Sequence, residues 1–235
     1  MAANTHGIRT LAIDIGGSGL KMLVLDGEGH PITERSREPT PKKRTPEKVL
    51  AVLGEQIVTQ GEFDRVSVGF PGVVVDGVAH KAVNLDPAWD GFNVAKALED
   101  LTGKPVRVAN DADVQGLGVI DGQGVELVIT LGTGIGTALY VDGHSVPNVE
   151  FGHHPFSKDR TYEECLGNAA MKKVGKQKWN RRLEKAITIW DRVFNFRMLY
   201  LGGGNARKID FELPANAQKV PNIAGLLGGI ALWRD

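Results

Sequence analysis

The stretch LAIDIGGSGLKMLVLDGEG, Leu11 to Gly29, sets an acid, Asp14, inside an apolar run that stops at the pair Gly16-Gly17. A second stretch, LVITLGTGIGTALYVDGHS, Leu127 to Ser145, aligns with the first without a gap at an offset of 116 residues. Leu11, Ile13, Gly16, Leu23, Asp26 and Gly27 recur as Leu127, Ile129, Gly132, Leu139, Asp142 and Gly143. Each copy reads as a strand, a tight glycine turn, a second strand and an Asp-Gly turn that starts a third. A self-similarity this long predicts two homologous half-molecules. Chance likeness between two hairpins is the alternative.

Working outward from the first copy, HPITERSREPT reads as a third strand that grows polar. Thr45 and Pro46 then start a helix whose Val49, Leu50, Leu53 and Ile57 share one face. A buried strand over DRVSVGF leads to the Pro71-Gly72 turn and a short hairpin closed at Asp76-Gly77. FNVAKALEDLTG is a short helix stopped by Gly103, and PVRVANDADV runs a strand straight into polar residues. After the second copy, residues 147 to 175 look irregular. A long amphipathic helix follows with Leu183, Ile187, Trp190 and Phe194 on one face, then a strand ending in Gly202, Gly203 and Gly204, then a closing helix over PNIAGLLGGIALW.

Composition bounds what such a chain does. At 235 residues with 42% hydrophobic residues it holds a real core. No apolar run approaches the roughly 20 residues of a membrane span, and the opening MAANTHGIRT lacks the regions of a signal peptide, so a cytoplasmic location and no membrane partner are expected. Cys165 is the single cysteine, which rules out an intrachain disulfide and a cysteine-rich zinc site. With 28 basic and 28 acidic residues there is no global pull toward nucleic acid, and any anion site is local.

Glycine at a strand end lets backbone N–H groups close around phosphate oxygens. Three such turns occur, at Gly16-Gly17, Gly132-Thr133-Gly134 and Gly202-Gly203-Gly204. Asp14 beside the first is either a buried acid bonded to its turn or an outer-sphere ligand of the Mg²⁺ that accompanies a polyphosphate. Neither the P-loop pattern nor the dinucleotide fingerprint is present. Lys172, Lys173, Lys176, Lys178, Arg181 and Arg182 form a basic stretch without an acid, which is either a solvated face or a track for the distal phosphates of a long polyanion.

The ordered set IDIGGSGLK, NDADVQGLG, TLGTGIGTAL, NVEFGHH and LGGGNA resembles the ROK family of sugar kinases, and LGTGIGTAL is most similar to its polyphosphate glucokinase branch. The resemblance runs from about residue 9 to 232. It implies an α/β, actin-like (ribonuclease H-like) duplicated two-lobed fold, with donor and sugar in a central cleft between the lobes. Residues 1–108, completed by a closing helix over 221–235, are the expected N-terminal lobe, and 109–220 the C-terminal lobe.

By the same resemblance Asp14, Gly16, Gly17, Ser18 and Lys21 match a first phosphate loop, Gly132, Thr133 and Gly134 a second, and Gly202, Gly203 and Gly204 a donor-binding segment. Asn110 and Asp111 match the pair whose acid is the catalytic base, although NDAD also reads as a helix N-cap cluster. Glu150 and His153 match a Glu-x-Gly-His that grips sugar hydroxyls, and Asn84 a sugar-side loop. Glu163 and Glu164 both fall where one more sugar-binding acid belongs, and Glu164 is chosen. The implied activity is transfer of a phosphoryl group from polyphosphate, ATP or both to the 6-hydroxyl of glucose, with Mg²⁺, no structural zinc and a homodimeric state. An ATP-dependent kinase for another hexose or an N-acyl amino sugar, and a sugar-sensing protein without turnover, are the alternatives. Only about ten residues precede the first strand, which disfavours a DNA-binding repressor.

Overall fold

The computed structural model describes residues 7–82, 85–221 and 224–233, so Asn84 lies outside the described residues. The chain forms two compact units, one built on residues up to Gly118 together with Gly225 onward, the other on Val119–Ala224.

The first unit contains β1 (Thr10–Ile15), β2 (Leu20–Leu25), β3 (Ser36–Glu38), α1 (Pro46–Ile57), β4 (Arg65–Phe70), the small hairpin β5 (Val73–Val75) and β6 (Val78–His80), α2 (Val94–Thr102), β7 (Val106–Asn110) and α3 (Asp111–Leu117). Its main sheet runs β3-β2-β1-β4-β7, antiparallel across the first three strands and parallel across the last three. The central strands are buried almost throughout, as expected where a sheet is covered on both faces. Val49, Leu53 and Ile57 of α1 join Leu11, Ile13 and Val68 in the core. Trp89 is fully buried and donates its Nε1–H to the Arg44 carbonyl at 2.6 Å.

The second unit repeats the order: β8 (Val125–Leu131), β9 (Ile135–Val141), β10 (His144–Val146), the small pair β11 (Pro155–Ser157) and β12 (Arg160–Thr161), α4 (Tyr162–Leu166), α5 (Asn168–Val174), α6 (Lys176–Phe194), β13 (Met198–Gly202) and β14 (Ala217–Lys219), after which α7 (Ala224–Leu227) leads the chain back into the first unit. The main sheet is β10-β9-β8-β13-β14, position for position the strand order of the first. Leu183, Ile187 and Trp190 of α6 pack on Leu127, Ile129 and Leu131 of β8. The internal repeat therefore marks two units of one topology, an α/β duplicated fold.

Pairing refines the sequence alignment. In the first hairpin Ile15 faces Leu20, in the second Leu131 faces Ile135, so the second glycine turn is one residue shorter and the ungapped offset fails within it. The two Asp-Gly turns also differ. Asp142 (φ 50°) and Gly143 (φ 80°) make a two-residue hairpin turn between Val141 and His144, whereas Asp26 opens a wider loop and accepts the Glu28 and His30 amides on its carboxylate.

Three further differences are physical. The division between units falls after Gly118, past the expected boundary at residue 108, because α3 packs against β4 and the turn Gly228–Trp233 of the first unit. The stretch 147 to 175, expected irregular, carries β11, β12, α4 and α5. The expected closing helix is one α turn, α7, followed by a 3-10 turn at Gly228–Trp233, where Gly228 and Gly229 weaken α propagation. Among the described residues no helix is long and apolar enough to cross a membrane.

Candidate active site

In the first unit, β1 and β2 meet at Gly16 to Gly19, where the Gly16 amide donates to the Gly19 carbonyl at 3.1 Å. The Thr40 hydroxyl donates to the Gly16 carbonyl at 2.5 Å and ties the loop to the chain beyond β3. Gly17 is half-buried and Ser18 exposed at the tip. Asp14 lies directly across the hairpin from Lys21, and the ammonium reaches its carboxylate at 2.5 Å with both side chains about one-fifth exposed (19% and 20%). That pairing explains how the strand tolerates a carboxylate, since opposite charges facing across an antiparallel pair stabilise it by about 0.2–1 kcal/mol. It also holds an acid and a base at the mouth of the loop.

At the end of β7 the chain turns directly into α3. Asn110, 6% exposed, caps that helix: its Oδ1 accepts the Ala112 amide at 2.8 Å and the Asp113 amide at 3.4 Å. Its Nδ2 donates to the Gly72 carbonyl at 3.1 Å, fixing the corner to the Pro71-Gly72 turn. The N-cap reading of NDAD is therefore correct for Asn110, and it is compatible with chemistry at the next residue. Asp111, the first residue of α3, is half-buried, and its Cα stands close over Gly69 of β4.

The second unit brings two glycine turns together. Gly132 to Gly134 links β8 to β9, with the Gly132 amide donating to the Gly134 carbonyl at 3.0 Å. Gly202 to Gly204 closes the adjacent parallel strand β13. Gly203 has φ +81°, and a Cβ there would run into the Leu131 backbone, so no other residue fits the turn without strain. Asn205, 6% exposed, joins the two turns: its amide donates to the Leu131 carbonyl at 2.9 Å and its Nδ2 to the Gly132 carbonyl at 3.1 Å. Sequence reading passed over Asn205, although it sits inside LGGGNA and an amide after a glycine run was a signal. The Asn168 amide at the start of α5 donates to the Gly132 and Thr133 carbonyls at 3.1 and 3.3 Å.

Beside these turns lies an acid–histidine cluster. Glu150 and His153 stand 3.7 Å apart across the 3-10 turn Phe151–His153. The Thr137 hydroxyl anchors this segment to β9 by donating to the Val149 carbonyl, and it accepts the Phe151 amide at 3.0 Å. Burial pushes the Glu150 carboxyl above its ordinary range; His153 offsets that in part, and nearby Glu163 adds to it. Glu163 accepts the Ile135 amide on Oε2 at 3.0 Å, and a Cβ on Gly134 would overlap its carboxylate. Glu164, chosen from the sequence, is instead the exposed acid of a capping box: it accepts the Thr161 amide at 2.8 Å while Thr161 Oγ1 accepts the Glu164 amide at 3.2 Å. The acid that joins Glu150 is Glu163.

The basic stretch splits between α5 and α6 at Gly175. Lys176 pairs with Asp210 at 3.3 Å, and Arg182 donates to the Cys165 carbonyl at 3.2 Å.

Two units of one topology, each with a glycine turn between its first two strands, make the duplicated α/β arrangement of the actin-like fold. Residues 10–174 match the ROK family, and the chain belongs to that family. It is 31% identical over 232 residues to the polyphosphate glucokinase of Mycobacterium tuberculosis (strain CDC 1551 / Oshkosh), covering 92% of this chain and 88% of that one. The crystal structure of inorganic polyphosphate/ATP-glucomannokinase from Arthrobacter sp. strain KM superposes with a TM-score of 0.85 at 32% identity, over 96% of this chain and 98% of that one. An N-acetylmannosamine kinase of Escherichia coli (strain SE11) is 33% identical, over 57% of this chain and 48% of its own. The chain is a sugar kinase, a phosphotransferase acting on a sugar hydroxyl.

Proposed function

We propose that this protein phosphorylates the 6-hydroxyl of glucose, with inorganic polyphosphate or ATP as donor. One observation carries the acceptor and donor: identity to a polyphosphate glucokinase extends over 92% of the chain, whereas identity to an N-acetylmannosamine kinase stops at 57%. The glucomannokinase likeness over 96% of the chain supports the same pair of donors and adds mannose as a second acceptor to test.

On this reading Asp111 is the general base that takes the hydroxyl proton, and Asn110 sets its position by fixing the start of α3. Glu150, His153 and Glu163 hold sugar hydroxyls, with Asn84 on the sugar side as well; carboxylates accept and an imidazole both accepts and donates in fixed directions. Amides of the Gly16–Ser18 and Gly132–Gly134 turns and the Lys21 ammonium stabilise charge on the transferred group, and Gly202 to Gly204 support the donor beyond it. Asp14, although ion-paired with Lys21, offers a carboxylate oxygen at this turn that suits a hydrated Mg²⁺ shared with substrate phosphates. Bound there through water, Mg²⁺ would neutralise phosphate charge. The enzyme acts in the cytoplasm as a homodimer, without nucleic-acid or membrane partners.

The test is a coupled assay of glucose 6-phosphate formed from glucose and Mg²⁺ with polyphosphate or ATP, run beside mannose and N-acetylmannosamine. Turnover of N-acetylmannosamine in preference to glucose would replace this reading.

A further inference from the structure

The glycine turns of the second unit are bordered by cations from two distant parts of the chain. Lys172 and Lys173 end α5, whose first amide already touches the Gly132–Thr133 turn, and four residues of helix carry Lys172 about 6 Å from that contact. Lys178 and Arg181 follow at helical neighbour spacing on α6. Arg207 and Lys208 lie in the 3-10 turn immediately after Gly204 and Asn205. Buried Asn180, 4% exposed, fastens the two parts: its Nδ2 donates to the Lys176 and Lys208 carbonyls at 3.0 and 3.2 Å, and its Oδ1 accepts the Asp210 amide at 3.1 Å. Five of the six cations are exposed, and Lys208 is half-buried.

Part of this placement is unfavourable locally: Lys178 stands in the first turn of α6, which contains no acid, at the positive end of the helix dipole. In a chain with 28 basic and 28 acidic residues, such crowding next to two glycine turns is relieved by an anion that spans it.

We propose that Lys172, Lys173, Lys178, Arg181, Arg207 and Lys208 form a track for the distal phosphates of a linear polyphosphate whose terminal phosphate lies at the Gly132 and Gly202 turns. The track rests on the reading of those turns as donor-binding. Lys176, neutralised by Asp210, and Arg182, committed to Cys165, stand outside it.

The experiment pairs binding with turnover in K172Q/K173Q/K178Q/R207Q. Binding of fluorescently end-labelled long-chain polyphosphate without sugar, measured by anisotropy across a salt series, reads the track whether or not the donor is consumed. The variant is expected to bind at least roughly tenfold more weakly at low salt, with the slope of log affinity against log salt reduced by about 2–3, given about 0.7 per lost charge on a single-stranded polyanion. KM for long polyphosphate rises in parallel, while KM for tripolyphosphate, ATP and glucose changes less than about twofold, because these ligands leave most of the track untouched. Parent-like binding and an unchanged slope would overturn the track even if polyphosphate still phosphorylates glucose. Loss of affinity in the variant would uphold it even if glucose proves not to be the acceptor. An equal loss for ATP and tripolyphosphate would overturn it in favour of general support of the turns, and tighter binding of length-matched single-stranded DNA in favour of a nucleic-acid face.

Discussion

Asp111 follows Asn110 by one residue at the end of β7, where the amide side chain locks the helix start and the acid is the proposed base. On the proposed roles Asp111→Asn lowers kcat by about 10²–10⁴-fold while sugar affinity, measured by calorimetry, stays within a few-fold of the parent. Parent-like turnover would remove Asp111 from the reaction. The two neighbouring glutamates give a sharper contrast. Glu163→Gln should raise the sugar KM by about tenfold or more, the cost of weakening a charge-assisted hydrogen bond. Glu164→Gln should leave kinetics intact and cost less than about 1 kcal/mol of stability in urea unfolding, since it touches only a helix cap. Reversed effects would return the sugar contact to Glu164. Glycines, Asp14 and Asn110 were readable because their residue types are tied to strand ends and turns. The structure sets Glu163, and not Glu164, beside Glu150, and part of the reason was legible: Thr161-x-x-Glu164 is itself a capping-box signature, and successive helical residues point about 100° apart.

At the scale of elements, the second unit's chemistry depends on two strand ends being held in step. Asn205 does this from inside LGGGNA, and Asn205→Ala leaves the Gly132 carbonyl without its side-chain donor. The expected result is a loss of about 1–3 kcal/mol in stability and a several-fold higher KM for donor, with sugar KM unchanged. Equal effects on both substrates would mean that Asn205 serves the fold alone. Hydrophobic periodicity revealed α1, α6 and the central strands, because their buried faces repeat. It missed β14, three partly or fully exposed residues at a sheet edge that are strand only because β13 offers a parallel partner. It missed α4 and α5 for a related reason: each is shorter than two full helical turns plus a residue or so, too little for an amphipathic repeat to show.

Across the whole molecule, the duplication was legible from one ungapped pair of hairpins, whereas the return of the chain's last residues to the first unit was expected from the family resemblance and not from any pattern in those residues. That return is fastened tightly. The guanidinium groups of Arg65 and Arg107 stand over the Trp233 ring, 4.9 and 4.6 Å from its centroid, and Trp233 donates Nε1–H to Ser67 Oγ at 2.8 Å. Ser67 in turn donates to the Gly229 carbonyl at 2.7 Å, and Arg107 to the Leu232 carbonyl at 2.5 Å. Trp233→Ala should cost about 2–3 kcal/mol, less than the roughly 3–5 of a fully enclosed tryptophan, with the first unit losing amide-exchange protection and the second keeping it. Uniform loss across both units would contradict this. The same return reorders birth on the ribosome. The second unit is one uninterrupted stretch, complete once Ala224 has emerged, whereas the first waits for residues translated after it. Although most of the first unit is translated before the second, the second is the one able to reach its native state earlier, and the β1–β2 hairpin with its glycine turn stays immature until the turn Gly228–Trp233 arrives.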